Sequence, residues 1–183
     1  MKHKNCILTY TKRMFDPFAI TPQDINLEDI AHALSMTVRA NGHVAYFYSV
    51  AQHAIDCARE AEARGCSPRV QMACLLHDAS ECYIADIPRP VKHRLPGYAQ
   101  IEQKIAAIVY QACGIGALTA DEAKQLCEID DALLYHEFLA LTGLALSDAE
   151  PKVLVKHSFA CEDFETVKVQ FLRIYAQLAE AME

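Results

Sequence analysis

Leu75-Leu76-His77-Asp78-Ala79-Ser80-Glu81 places three ionisable side chains within five residues, directly after an apolar pair. The residues before it read as helix. Ser67 is a suitable N-cap, Pro68 fits the first helical position, and positions 69–82 hold neither Gly nor Pro. At about 100° per residue, Val70, Cys74, His77 and Glu81 share one stripe of that helix, with Asp78 about 60° to its side. Met72, Leu75 and Leu76 occupy the opposite side. A helix that is apolar on both sides is an interior helix. Charges there cost several kcal/mol unless they are paired or bound to a metal. A cation beside this segment would satisfy His77 and Asp78 together.

Further helices lie on either side. Asn26 can cap a helix from Leu27 to about Thr37, and Arg39-Ala40-Asn41-Gly42-His43 breaks it, with Gly42 supplying turn geometry. Ser49-Val50-Ala51-Gln52 has the form of a capping box and opens a helix to about Arg64, with Val50, Ala54, Cys57, Ala58 and Ala61 inward and His53 at the margin. Asp86-Ile87-Pro88-Arg89-Pro90 is expected to be an extended loop, because two prolines lie two apart. A helix follows from about Gly97 to Cys113. Thr119-Ala120-Asp121-Glu122, another capping box, opens a long helix to about Leu141. Its buried face (Leu126, Ile129, Leu133, Leu134, Leu141) is interrupted by Asp130 and Glu137, while Asp131 points towards the edge. The last helix spans about Glu162 to Ala181.

These elements predict an all-α fold: an irregular N-terminal arm, residues 1–26, packing on a single helical domain, residues 27–183. The chain is 183 residues long, 52% hydrophobic, and carries a net charge of −7. The acidic balance and the lack of a basic block argue against a nucleic-acid partner. No apolar run approaches a membrane span. Eight Cys without a Cys-x-x-Cys pair, and a polar N-terminus, read as small core hydrophobes in a reducing cytoplasm.

The misfits on these apolar faces are His53, His77, Asp78 and Asp130. Two imidazoles and two carboxylates form a mixed nitrogen–oxygen site for one divalent ion, with Mn, Co, Fe, Ni, Zn and Mg all admissible. Open coordination positions would admit water or substrate, and bound water is acidified towards neutral pH.

The order His53, His77-Asp78, Asp130 resembles the H…HD…D pattern of the HD-domain metal-dependent phosphohydrolases. Within them it is most similar to the branch of bacterial 5′-deoxynucleotidases of the YfbR type. His77-Asp78-Ala79-Ser80-Glu81 followed by Asp86-Ile87-Pro88-Arg89-Pro90-Val91-Lys92 is similar to that branch's HDxSE…D(L/I)PxPxK segment. Tyr48-Ser49-Val50-Ala51-Gln52-His53 and Glu128-Ile129-Asp130 are similar to its flanking ligand helices, so the resemblance covers about residues 27–140. It implies an HD-domain-like helical bundle with the four residues as ligands, and hydrolysis of phosphate esters, nucleoside 5′-monophosphates above all. It further implies Glu81 as the acid that orients water or protonates the leaving group. Asp86 would contact the sugar, Arg39 would grip phosphate, Lys92 would add charge, and His43 lies close enough in sequence to contact substrate. A homodimer is a family-level expectation. Alternatives are other chemistries of the same superfamily (diesters, pyrophosphates, (p)ppGpp) and a non-catalytic metal- and nucleotide-binding module. The chain departs from the nucleotidases in a shorter His53-to-His77 spacing, in having no Trp, and in its N-terminal arm. Glu137 is expected to support the site through a hydrogen bond or a buried pair. Arg89 reads as a solvated loop charge, and His136 and His157 as surface or packing residues.

Overall fold

The computed structural model describes residues 4–183, and they are predominantly helical, as an all-α fold requires. The helices are α1 (Leu27–Met36), α2 (Val50–Ala63), α3 (Pro68–Leu76), the single turns α4 (Glu81–Ile84) and α5 (Arg89–Lys92), α6 (Tyr98–Ala112), α7 (Ala120–Thr142) and α8 (Phe164–Ala181). Local chemistry sets their boundaries. The Asn26 side chain accepts from the N–H groups of Glu28 and Asp29. Capping boxes form at Ser49/Gln52 and Thr119/Glu122, satisfying amide groups that have no partner inside the helix. Gly143, at φ 75°, ends α7 in the left-handed conformation that a residue lacking Cβ adopts without strain.

Helices α2 and α3 lie at the centre. α2 packs on α1, α3, α7 and α8, and α3 packs on α2, α6, α7 and α8. Val70, Met72, Ala73, Cys74, Leu75 and Leu76 are all buried, as expected for a helix apolar on both sides. A large core joins α1, α2, α3, α6 and α8, with Leu34, Leu75, Leu76 and Phe171 fully enclosed. A smaller cluster of Cys57, Ala61, Val70, Cys74, Ile129 and Leu133 fills the seam between α2, α3 and α7. This seam fixes the separation of the three helices that carry the candidate ligands.

Three expectations about local structure are corrected. First, the helix predicted over 69–82 ends at Leu76. Residues 77–80 wind more tightly, with amide groups bonding three residues back: Ala79 to Leu76, Glu81 to Asp78, Tyr83 to Ser80. At three residues per turn Asp78 and Glu81 are eclipsed, so Glu81 aligns with Asp78 and not with His77. Second, the two-proline segment is not extended throughout: Pro88 is, but α5 begins at Arg89, because Pro90 sits in the first helical turn, where no N–H is needed. Third, the arm is not wholly irregular. Within its described residues, β1 (Ile7–Leu8) and β2 (Met14–Phe15) pair antiparallel, Ile7 opposite Phe15. Phe15 and Ile20 are buried in the main core. Residues 1–3 of the predicted arm lie outside the described residues.

Candidate metal centre

Four side chains from three helical segments bring donor atoms to one point. His53 Nε2 lies 3.2 Å from His77 Nε2, 3.1 Å from Asp130 Oδ1 and 3.8 Å from Asp78 Oδ2. His77 Nε2 lies 3.3 Å from Asp78 Oδ2 and 3.7 Å from Asp130 Oδ1. A divalent ion with bonds of about 2.1 Å needs donors about 3.0 Å apart in adjacent octahedral positions, or about 3.4 Å apart in a tetrahedron. The observed separations fall in and just above that range, so the donor set fits such an ion.

Both imidazoles are oriented for this role. α3 ends at Leu76 and leaves its last carbonyls free. His77 Nδ1 takes the Cys74 carbonyl at 2.8 Å, which directs Nε2 and its lone pair into the site. His53, fully buried, places Nδ1 2.5 Å from Glu137 Oε1, and its Nε2 likewise faces inward. Two imidazole lone pairs and two carboxylates at these distances repel one another unless a cation sits among them. When protons are the only cations, they play that part. Burial works against protonating His53 and His77, and Arg39 adds to it at His53, yet Cys57, Glu137 and Asp130 around His53, and Asp78 and Asp130 around His77, outweigh it and both are held above the usual histidine range. Burial also works against charging Asp78 and Asp130; His77, Arg39 and His53 reverse this for Asp78 and lower it, while His53 and His77 hold Asp130 well below the usual carboxylate range.

Cys57, which reads in the sequence as a core hydrophobe, joins His53 and His77 in a group able to hold a metal ion. Its Sγ lies 3.6 Å from His53 Nε2. Burial pushes its thiol up to about 11, which keeps it protonated behind the four-donor set. The four-residue spacing of His53 and Cys57 on α2 was the signal for this proximity. Glu137, only 1% exposed, accepts from His53 and from Arg39 Nη2 at 3.3 Å.

A cavity of 380 Å³ opens beside these donors, lined by Asp78, Asp130, Glu81, Asp86, Arg39, Arg89 and Lys92, with Ile87, Pro88, Leu134, Phe138 and Leu146 as apolar walls. Burial, then the nearby Asp78 and Asp86 carboxylates, raises Glu81 above the usual range. Its Oε1 accepts from Lys92 Nζ at 2.9 Å, and its buried Oε2 has no hydrogen-bond partner among the described residues. Asp86 Oδ2 accepts from the Ala40 N–H at 3.2 Å. That contact holds Ala40 and Asn41 in left-handed backbone conformations (φ 52° and 53°), unusual for residues with a Cβ.

Other expected positions differ from the sequence reading. Arg39 is buried and its guanidinium is engaged by Asp78 and Glu137, each at 3.3 Å, so it is not a free phosphate grip. Lys92 is paired with Glu81 and Glu102. His43 is exposed and lies outside the cavity lining, because the left-handed turn before it carries the chain away. Arg89 is exposed, as a loop charge should be, but it is also paired: it bridges Asp130 and Asp131 at the cavity mouth. His157 is neither at the surface nor merely packed. It sits between Asp56 and Glu60 on α2, at 3.2 and 3.6 Å.

No family model matches the chain. Over 118 residues it is 36% identical to the uncharacterized protein YfdR of Escherichia coli (strain K12), covering 64% of each chain. Over 127 residues it is 35% identical to the uncharacterized protein RCAP_rcc00048 of Rhodobacter capsulatus, covering 66% of this chain and 64% of that one. The chain thus spans just under two thirds of the curated relatives it matches. Among the described residues, no helix is long and apolar enough to cross a membrane.

Proposed function

We infer that the protein is a divalent-metal-dependent phosphohydrolase of the HD type, acting on a small phosphorylated molecule of the nucleotide class. The observation that carries this reading is the four-donor set, with both histidines oriented by partners and a cavity at its open side. His53, His77, Asp78 and Asp130 would hold the ion. When bound, a divalent ion supplies positive charge for the phosphoryl oxygens and acidifies water at the site.

The chain's own residues do the rest. Glu81, kept protonated by burial at the edge of the cavity, is the acid that serves the leaving oxygen, and Lys92 fixes its Oε1. Arg39 keeps Asp78 ionised and contributes positive charge from the cavity lining. Asp86 can accept from a substrate hydroxyl while the Ala40 amide holds it in place. The apolar wall of Pro88, Leu134 and Phe138 suits the flat, weakly polar part of a nucleoside.

The test begins with the metal content of the purified protein, followed by a screen of phosphorylated compounds with Mn²⁺, Co²⁺, Ni²⁺, Zn²⁺ and Mg²⁺. His77→Ala and Asp78→Ala are expected to lose bound metal and phosphate release together. Full turnover by either variant would refute the reading.

A further inference from the structure

Two cavities meet at one side chain. The cavity beside the four donors shares Arg89, Leu134 and Leu146 with a second one of 550 Å³, which lies between α7 and the connection that follows it. The Arg89 guanidinium stands at the boundary. Its Nη2 donates to Asp130 Oδ2 at 3.1 Å and its Nη1 to Asp131 Oδ1 at 2.8 Å.

The cations around this boundary are not equivalent. Arg39 and Lys92 are each held between two carboxylates inside the first cavity. Arg89 and Asp131 are each 52% exposed, and a surface pair of this kind contributes little to stability. Arg89 can therefore exchange Asp131 for an incoming anion at little cost. The far wall of the second cavity carries Lys152, an exposed residue whose carbonyl accepts from Arg64 Nη2 at 2.9 Å. That bond fixes the backbone of Lys152, and among the described residues no carboxylate pairs with its ammonium group. Arg64 itself is tied to Glu60 at 2.8 Å. The acids facing this space, Glu128 and Asp131, are both exposed.

We propose that Arg89 and Lys152 form a second anion subsite, beyond Asp130, that holds a phosphate linked to the one at the four-donor site. The two Nη groups of a single planar fork bond Asp130, which lines the first cavity, and Asp131, which lines the second, so anions held beside them are neighbours along one chain. The favoured ligand therefore carries at least two linked phosphates. The inference rests on the hydrolase reading only for the identity of the first anion.

Inorganic phosphate and inorganic pyrophosphate are the probes, titrated calorimetrically onto the full chain with the divalent cation in excess over both protein and ligand. Pyrophosphate is expected to bind at least about tenfold more tightly, the scale of one charge-assisted hydrogen bond. Arg89→Gln and Lys152→Gln are each expected to weaken pyrophosphate by about tenfold and phosphate by much less, with Arg89→Lys intermediate because it keeps the charge and loses the fork. Lys124→Gln, a change on an exposed stretch of α7, is expected to move neither. Equal affinities for the two probes, equal losses for both in the variants, or no binding of either would overturn the subsite. The two proposals fail separately. If no compound releases phosphate under any metal, the hydrolase reading falls while the difference between probes stands. Phosphate release from monophosphates with no preference for pyrophosphate removes the subsite alone.

Discussion

Replacing Glu137 by Gln changes one atom and one charge at a point of the candidate site that is almost fully enclosed. The carboxylate is 1% exposed and receives two donors, His53 Nδ1 at 2.5 Å and Arg39 Nη2 at 3.3 Å. A carboxylate can face donors on both oxygens. A carboxamide cannot: with Oε1 turned to one donor, its NH₂ faces the other. In Glu137→Gln either His53 loses the acceptor that directs its Nε2 into the site, or Arg39 loses a counter-charge and keeps only Asp78. Loss of such a partner to a ligating histidine lowers metal affinity by about 10–100-fold, equivalent to about 1.4–2.7 kcal/mol. Competition against a chromogenic chelator measures this directly, and thermal melts with and without the ion show whether the loss lies in the site or in the fold. The expected result is a reduced shift of the melting midpoint on adding metal. A variant that binds the ion as tightly as the parent would refute the orienting role of Glu137.

Asp130→Asn is expected to remove bound metal, whereas Asp131→Asn leaves metal content unchanged, because only the former places an oxygen 3.1 Å from His53 Nε2; metal analysis of the two purified variants decides it. Glu81 is raised by burial, so its proton is present at neutral pH and is lost as pH climbs through the raised value; kcat/KM should fall on the alkaline side, and Glu81→Gln should lose that limb along with most of the activity. For His157, burial opposes the charged form and the Asp56 and Glu60 carboxylates reverse it, so its folded pKa lies above 6.5. Its contribution to stability is full below the unfolded value and disappears as pH rises through the folded one; the difference in urea midpoint between the parent and His157→Gln should therefore shrink from mildly acidic to alkaline pH, and a difference that stays constant would show that charge plays no part.

The sequence by itself determined most of the helical frame. The caps at Asn26, Ser49, Ser67 and Thr119 act within three residues, and the helices they open start within two residues of where cap and apolar period place them. Periodicity also singled out Asp130 over Asp131, since Ile129, Leu133, Glu137 and Leu141 mark one buried face and Asp130 lies next to it. The tertiary structure alone decided the rest. Where α3 stops and tightens after Leu76 depends on what its free carbonyls meet, and that realigned Glu81 with Asp78. Which cations remain available to an anion could not be read from spacing. Arg39, Lys92 and Arg89 are alike as charges in a sequence, but they differ in the carboxylates that distant segments bring to them. Short-range hydrogen bonding is written in neighbouring residues, whereas the pairing of buried charges is settled by which helices pack together.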